Sequence, residues 1–125
     1  MKVSLVMPTI NVTTELELFL KSLKTQTYRD FELIVVDQNE GNEVFEIVKN
    51  YEEEFKIKYA KSDEKGLSLN RNRGLVLMEG EIVGFPDDDC EYQPDTLEKV
   101  VAFFEKKKDY RIYSCRTLER GKTYG

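Results

Sequence analysis

The sequence predicts an α/β fold in which one mainly parallel sheet lies between layers of helices. Short runs of strand-forming residues alternate along the chain with longer segments that repeat apolar residues at helical intervals. The connections between these segments are too short for anything but right-handed crossovers onto a parallel sheet. No internal repeat, linker or low-complexity tract interrupts this order, so residues 1–125 are expected to form a single domain.

The first half of the chain supplies two strand–helix units. An apolar run at 3–7 predicts the first strand, and Pro8-Thr9 closes it, as expected where a buried strand enters a ligand-facing loop. The next helix has a core face of four residues at helical spacing, Leu16, Phe19, Leu20 and Leu23. The second strand is predicted at 31–36 and delivers Asp37 to the following loop, which leads to a helix at 43–54.

The second half repeats this alternation. The predicted segments, in order, are a strand at 56–60, a helix at 67–78, a strand at 81–85, a helix at 95–108 and a strand at 111–115. In the first of these helices the apolar pattern predicts that Leu69, Leu75 and Val76 are buried and that residues 70–73 are exposed.

Composition excludes several classes of function. Nineteen basic and 24 acidic residues give a net charge of -5, which argues against nucleic acid as the main partner. The chain contains no histidine, so Ser-His-Asp and Cys-His catalysis and histidine metal sites are excluded. Cys90 and Cys115 lack metal-binding spacing, and no apolar run approaches the length of a membrane span of about 20 residues. We therefore expect a cytoplasmic protein, with peripheral attachment to the inner face of the membrane left open.

Three consecutive carboxylates, Asp87, Asp88 and Asp89, follow the predicted strand at 81–85. Carboxylates this close repel one another, so the cluster is costly unless positive charge lies on it. Because the acids come directly after a strand, we expect them at the sheet edge where open α/β sheets bind ligands. Mg²⁺ and Mn²⁺ prefer such oxygen ligands. A solvated acidic loop is the alternative reading.

Four motifs together resemble the nucleotide-binding half of the family 2 glycosyltransferases. They are the segments 3–11, 25–37, 66–74 and 85–89, which occur in the family's order. The resemblance implies the GT-A fold and inverting transfer of a sugar from a nucleotide-diphosphate sugar. It also implies a glycan or lipid-linked acceptor, in the synthesis of a bacterial surface polysaccharide, with a UDP-sugar as the favoured donor.

The resemblance also assigns roles to individual residues. The acid triplet matches the DXD motif, in which Asp89 is the metal ligand and Asp88 or Asp87 contacts the ribose. Pro8, Thr9 and Asn11 match the loop that lies along the nucleoside. Asp37 matches a residue that contacts the base or the ribose, and Arg71 matches an arginine that lies beside the diphosphate.

Two of these residues have alternative roles. Asp37 could instead form a turn, and Arg71 could instead form an ion pair with a neighbour such as Glu79.

Two departures leave the base undetermined. Many members of the family carry two acids at the end of the second strand, where this chain has Asp37-Gln38, and many carry tyrosine where it has Ile10. An aromatic ring at that position would stack on the base. The resemblance therefore does not fix the choice between uracil and another base.

An inverting transferase also needs a general base to accept the proton of the acceptor hydroxyl. In the family this carboxylate lies well beyond the acid triplet, and here Glu119 has no supporting surroundings. We therefore expect the chain to be a donor-binding half without its acceptor half, truncated at the C-terminus. A non-catalytic module that binds nucleotide-sugars is the main alternative. A sugar-phosphate nucleotidyltransferase is disfavoured because the first loop is not rich in glycine and arginine.

Overall fold

The computed structural model describes residues 1–107, in which strands and helices alternate. The elements, in chain order, are β1 (Val3–Thr9), α1 (Thr14–Lys24), β2 (Phe31–Asp37), α2 (Glu43–Lys49), β3 (Lys56–Lys61), α3 (Leu67–Leu75), β4 (Ile82–Gly84) and α4 (Thr96–Lys106). The predicted alternation is confirmed over this range. The strand predicted at 111–115 lies outside the described residues.

The four strands form one sheet in the order β3-β2-β1-β4, and every pairing is parallel. Thr9 is paired with Asp37, which is paired in turn with Lys61, so β1, β2 and β3 end level with one another. Parallel strands bring their carboxyl ends to the same edge, which we call the carboxyl edge of the sheet. The opposite edge is called the amino edge.

The helices form layers on both faces of the sheet, so the predicted three-layer α/β/α sandwich is confirmed. One face packs β1 and β2 against α1, α2 and α4 through residues such as Leu5, Leu33, Phe19 and Val101. The other face packs Val6, Ile34 and Val36 against the end of α3 and the residues after it. All four predicted core residues of α1 are fully buried.

Helix α3 meets the sheet mainly through residues that were not predicted. Leu75 is half-buried and packs against the sheet, in line with its prediction, whereas Val76 is 84% exposed and Leu69 is also exposed. The fully buried residues of the helix are Asn70 and Gly74. A Cβ atom at Gly74 would lie 2.4 Å from Cγ1 of Val6, so only glycine lets the helix approach this closely. The apolar pattern was wrong for Leu69 and Val76 because a glycine and a hydrogen-bonded asparagine form most of the contact with the sheet.

A buried carboxylate stabilises the amino edge. Glu32 is fully buried, and its Oε2 accepts hydrogen bonds from Ser4 Oγ and the backbone N–H of Glu79, each at 2.7 Å. Lys58 forms an ion pair with its Oε1 at 3.0 Å. Burial alone raises the pKa of the Glu32 carboxyl, but these hydrogen bonds and the ion pair outweigh burial and hold the pKa below its ordinary value. The acid therefore links β1, β2, β3 and the connection before β4.

Within the described part of the chain, no helix is long and apolar enough to cross a membrane.

Candidate functional site

A groove lies along the carboxyl edge, where the ends of β1, β2 and β4 meet. It consists of two adjoining cavities of about 310 and 350 Å³, which share Ile10, Gln38 and Lys65. The first cavity is also lined by Pro8, Gly66, Leu67, Pro86, Asp87 and Asp88. The second is also lined by Asn11, Asn39, Glu40, Gly41 and Glu43. Open α/β sheets bind ligands at this edge, so the groove is the candidate functional site.

The acid triplet lies beside the end of β1. Asp87 and Asp88 line the first cavity together with Pro8. The Asp88 carboxylate accepts a hydrogen bond from the backbone N–H of Ile10 at 3.2 Å, although 78 positions separate the two residues in sequence. Asp89 is exposed and lines neither cavity. The structure therefore brings two of the three acids together with the β1 loop and leaves the third at the rim.

The triplet suits a cation that is shared with a ligand. Among residues 1–107, no three acidic or cysteine side chains gather closely enough to hold a metal ion by themselves. Mg²⁺ and similar ions often take only one or two protein carboxylates and complete their coordination with water and substrate phosphates. Asp87 and Asp89 have the oxygen chemistry for this, and no hydrogen bond or ion pair within the described residues engages their carboxylates. The donor set therefore fits Mg²⁺ or Mn²⁺ held jointly with a phosphate-bearing ligand.

Asp37 is fully buried and lies behind the wall of the groove. One carboxylate oxygen accepts hydrogen bonds from the backbone N–H and the side-chain amide of Asn39, each at 2.9 Å. The other accepts from Tyr59 Oη at 2.5 Å and lies 3.4 Å from Lys61 Nζ. Burial, the hydrogen bond and the Asp37 charge all raise the pKa of the Tyr59 hydroxyl, in that order of size. Contact between Asp37 and a ligand stays a prediction.

The Asp37 network reaches the loop after β1 through Asn39. The side-chain oxygen of Asn39 accepts the backbone N–H of Asn11 at 2.8 Å, which ties the end of β2 to the loop after β1. Asn11 has a left-handed backbone with φ of 62°, a conformation that asparagine tolerates better than most residues.

Thr9, at the end of β1, is buried and lines neither cavity. Its hydroxyl has no hydrogen-bond partner in the described region.

Arg71 lies on α3 and stacks on an aromatic ring. Its guanidinium carbon is 5.2 Å from the centre of the Phe85 ring, within range of a cation–π interaction. The alternative ion pair with Glu79 is wrong, because Glu79 pairs with Lys2, Lys56 and Lys58. The Arg71 Nε is buried without a hydrogen-bond partner among the described residues, and Arg71 lines neither cavity. Its contact with a diphosphate stays a prediction.

Cys90 follows the triplet in surroundings that disfavour its thiolate form. Its thiol lies 3.0 Å from the backbone carbonyl of Asp87. Burial and the negative charges of Asp87 and Asp89 raise the pKa of the Cys90 thiol to about 11. The thiol is therefore neutral at physiological pH, and a neutral thiol is a poor nucleophile.

Several residues that line the groove had no binding role assigned from the sequence, chiefly Gln38, Lys65 and Gly66, although Gln38 was noted as a departure from the family pattern and Gly66 begins one of the four motifs. Gln38 is 8% exposed, and its side-chain oxygen accepts the Gly66 backbone N–H at 2.9 Å. Gly66 has a φ of 142°, in the region that favours glycine. The position of Gln38 directly after a strand that ends in a carboxylate was the available signal, because side chains there point into ligand clefts.

The family model described as Glycosyl transferase family 2 matches residues 4–124. The chain belongs to glycosyl transferase family 2. A relative from Campylobacter jejuni, named GalNAc(5)-diNAcBac-PP-undecaprenol beta-1,3-glucosyltransferase, is 37% identical over 103 residues, which are 80% of this chain and 33% of the relative.

Two solved structures share the fold. The structure of S. aureus TarS 1-349 in complex with UDP-GlcNAc has a TM-score of 0.81 and 30% identity, and covers 86% of this chain and 32% of that one. The mannosyltransferase PcManGT from Pyrobaculum calidifontis, in complex with GDP-Man and Mn²⁺, has a TM-score of 0.75 and 25% identity. The match covers 82% of this chain and 32% of that one. The predicted GT-A fold is confirmed. The chain spans about a third or less of the length of the curated relatives that it matches.

Proposed function

We propose that the chain is the donor-binding part of a glycosyltransferase that takes a sugar from a nucleotide-diphosphate sugar. The observation that carries the proposal is the groove itself, in which Asp87 and Asp88 share one cavity with Pro8 and a polar second cavity adjoins it. Each cavity lies within the size range of small-molecule sites, about 300–1,000 Å³. The two related proteins that bind UDP-GlcNAc and GDP-Man support the same ligand class.

We infer that the donor lies along the groove in a fixed direction. Its diphosphate lies in the first cavity, near the acid triplet, and its nucleoside extends past Pro8 into the second cavity, beside Asn11. Thr9 and Asp37 support the nucleoside end from behind, since Asp37 holds Asn39 and Asn39 holds Asn11. Arg71 adds positive charge beside the diphosphate, and the Phe85 ring orients its guanidinium.

We propose that a divalent cation, Mg²⁺ or Mn²⁺, binds at Asp89 together with Asp87. When bound, it supplies the positive charge that stabilises a departing diphosphate. Asp88 holds the loop of the triplet against β1 through the Ile10 N–H and contacts the ribose side of the donor. PcManGT, solved with Mn²⁺, supports the metal assignment.

For the whole protein we propose inverting transfer to a glycan or lipid-linked acceptor in the synthesis of a bacterial surface polysaccharide. The name of the C. jejuni relative, which specifies an undecaprenol-linked glycan, supports this class of acceptor. A cytoplasmic location, peripheral to the inner face of the membrane, would bring such an acceptor to the groove. No residue of this chain is assigned as the general base.

Calorimetry with UDP, GDP and ADP, each with and without MnCl₂, tests the binding proposal. We expect UDP or GDP to bind, and to bind more tightly when Mn²⁺ is present. Absence of binding by every nucleotide under both conditions would contradict the proposal.

Turnover separates the enzyme from the main alternative, a module that binds nucleotide-sugars without reaction. The measurement is release of UDP or GDP from nucleotide-sugars in the presence of a lipid-linked glycan extract. Release above that of an Asp87→Ala variant supports an enzyme and excludes the module. Tight binding without release is expected both of the module and of a donor-binding part that lacks its general base.

A further inference from the structure

We infer that Lys65 binds the α-phosphate of the nucleotide, the phosphate attached to the ribose, through its side-chain ammonium group. The inference rests on the proposed function, because it assumes that a nucleoside diphosphate occupies the groove. It adds a positively charged contact, supplied by the chain itself, at a position to which the sequence assigned no binding role.

The groove has an excess of negative charge. Of the described residues that line its two cavities, Lys65 is the one with a basic side chain. Four carry a carboxylate, namely Asp87, Asp88, Glu40 and Glu43. These carboxylates repel a phosphate group unless positive charge faces it. Lys65 is therefore the side chain of this lining that attracts a phosphate.

The ammonium group of Lys65 is available to a ligand. Within residues 1–107, no hydrogen bond or ion pair engages its Nζ atom. Lys61, at the end of β3, instead lies 3.4 Å from the buried carboxylate of Asp37. The Lys65 side chain is also exposed, so it can turn toward a phosphate without breaking a contact in the fold.

The backbone on both sides of Lys65 is held in place. Before it, the Glu64 carbonyl accepts hydrogen bonds from the Ser62 hydroxyl and the Asn70 side-chain amide, each at 2.9 Å. After it, the Gly66 carbonyl accepts a hydrogen bond from the same Asn70 amide at 2.8 Å. Ligand binding therefore has to order the lysine side chain but not the loop that carries it, which lowers the entropic cost of the contact.

The position of Lys65 selects the phosphate that it meets. Lys65 lines both cavities and therefore lies where they adjoin. In the proposed orientation, the diphosphate occupies the first cavity and the nucleoside occupies the second. The α-phosphate joins these two parts of the ligand, so it lies at the junction of the cavities, beside Lys65.

Nucleoside monophosphates test this contact because they carry the α-phosphate alone. The dissociation constants of UMP and UDP, or of GMP and GDP if GDP binds more tightly than UDP, are measured by calorimetry with MnCl₂ at low ionic strength. We expect Lys65→Met to weaken the binding of both nucleotides by the same factor. That factor should be about tenfold, as for the loss of one hydrogen bond to a charged group.

Two further measurements show whether charge is the cause. Lys65→Arg keeps the positive charge and should retain most of the affinity for both nucleotides. Raising NaCl to about 1 M should reduce the tenfold difference between the unchanged chain and Lys65→Met, because salt screens exposed charges. A difference that does not depend on salt would contradict an ionic contact.

Lys21→Met is the matched control. Lys21 is an exposed lysine on α1 that lines neither cavity, and its substitution changes the net charge by the same amount. We expect this variant to bind both nucleotides as tightly as the unchanged chain. An equal loss of affinity in Lys21→Met and Lys65→Met would assign the effect to net charge and overturn the inference.

Three other outcomes would overturn the inference while leaving the proposed function intact. Lys65→Met could bind both nucleotides as tightly as the unchanged chain, or it could lose affinity for the diphosphate alone, which would place Lys65 at the second phosphate. The unchanged chain could also bind the diphosphate but not the monophosphate. If no nucleoside diphosphate binds the unchanged chain, the proposed function and the inference fail together.

Discussion

Carboxylates at the two edges of the sheet differ in how many partners the chain gives them. At the amino edge, Glu32 is buried and receives two hydrogen bonds and a lysine ion pair. At the carboxyl edge, Asp87, Asp88 and Asp89 stand in sequence, and among the described residues their carboxylates receive one backbone hydrogen bond, from Ile10 to Asp88. No lysine or arginine within residues 1–107 forms an ion pair with the triplet.

The difference separates acids that stabilise the fold from acids that are available to a ligand. A buried charge must be paired, and its partners are supplied by the chain itself. An exposed cluster of like charges gains from a cation supplied from outside. Asp37 lies at the same edge as the triplet but resembles Glu32, because its buried carboxylate accepts hydrogen bonds and lies near a lysine.

The largest expected effect is that of Glu32→Ala on stability. The substitution leaves Ser4, the Glu79 N–H and Lys58 without their shared acceptor. We expect the free energy of unfolding to fall by about 3 kcal/mol, measured by urea denaturation. Asp89→Ala is the matched control and should leave that free energy unchanged or slightly higher. Equal losses in the two variants would contradict the distinction between the edges.

Lowering the pH weakens the same network without removing a side chain. Hydrogen bonds and ion pairs with Lys58 and Lys56 lower the pKa of Glu79 from 4.5 to about 2, and the pKa of Glu32 is also lowered. An acid with a lowered pKa stabilises the fold above its unfolded pKa, and that stabilisation is lost as the pH falls toward its folded pKa. We expect the free energy of unfolding to decline between about pH 4.5 and pH 2. In Glu32→Gln the decline should be smaller, and an identical pH profile would refute the role of Glu32.

Asp37→Asn tests whether Asp37, at the carboxyl edge, stabilises the fold or binds a ligand. Loss of the charge weakens the contacts with Tyr59 and Lys61, and we expect the free energy of unfolding to fall by about 1–2 kcal/mol. Nucleotide affinity is measured on the same variant. Unchanged stability combined with a loss of affinity above about tenfold would assign Asp37 to ligand binding instead.

The smallest effect concerns Arg71 and Phe85. A double-mutant cycle with Arg71→Gln and Phe85→Leu should give a coupling energy of about 0.5–1 kcal/mol in unfolding experiments. A coupling energy near zero would show that the ring does not hold the guanidinium.

Much of the fold follows from the sequence because its core positions are apolar and periodic. The face of α1 was predicted correctly from the spacing of Leu16, Phe19, Leu20 and Leu23, which all pack against the sheet. The face of α3 was predicted only at Leu75, because Gly74 and Asn70 carry no apolar signal, and their burial depends on how closely the helix approaches Val6. Apolar periodicity cannot report contacts made by a glycine or by a satisfied polar side chain.

Part of the site was also predictable, because it follows from the order and direction of the strands. Acids that directly follow a strand must lie at the carboxyl edge of a parallel sheet, so the meeting of Asp88 with Ile10 follows from topology. The link between Gln38 and Asn70 does not, because it joins residues 32 positions apart through side-chain amides. Only the three-dimensional packing of α3 against the end of β2 brings these two amides together.

The most direct test of the account is the effect of Mn²⁺ on UDP affinity in the unchanged chain, in Asp89→Asn and in the control Glu53→Gln. Glu53 is an exposed acid between α2 and β3, outside both cavities. We predict that Mn²⁺ tightens UDP binding at least about tenfold in the unchanged chain and the control, and has little effect in Asp89→Asn. Equal enhancement by Mn²⁺ in all three proteins would contradict the claim that the unpaired acid triplet binds the cation.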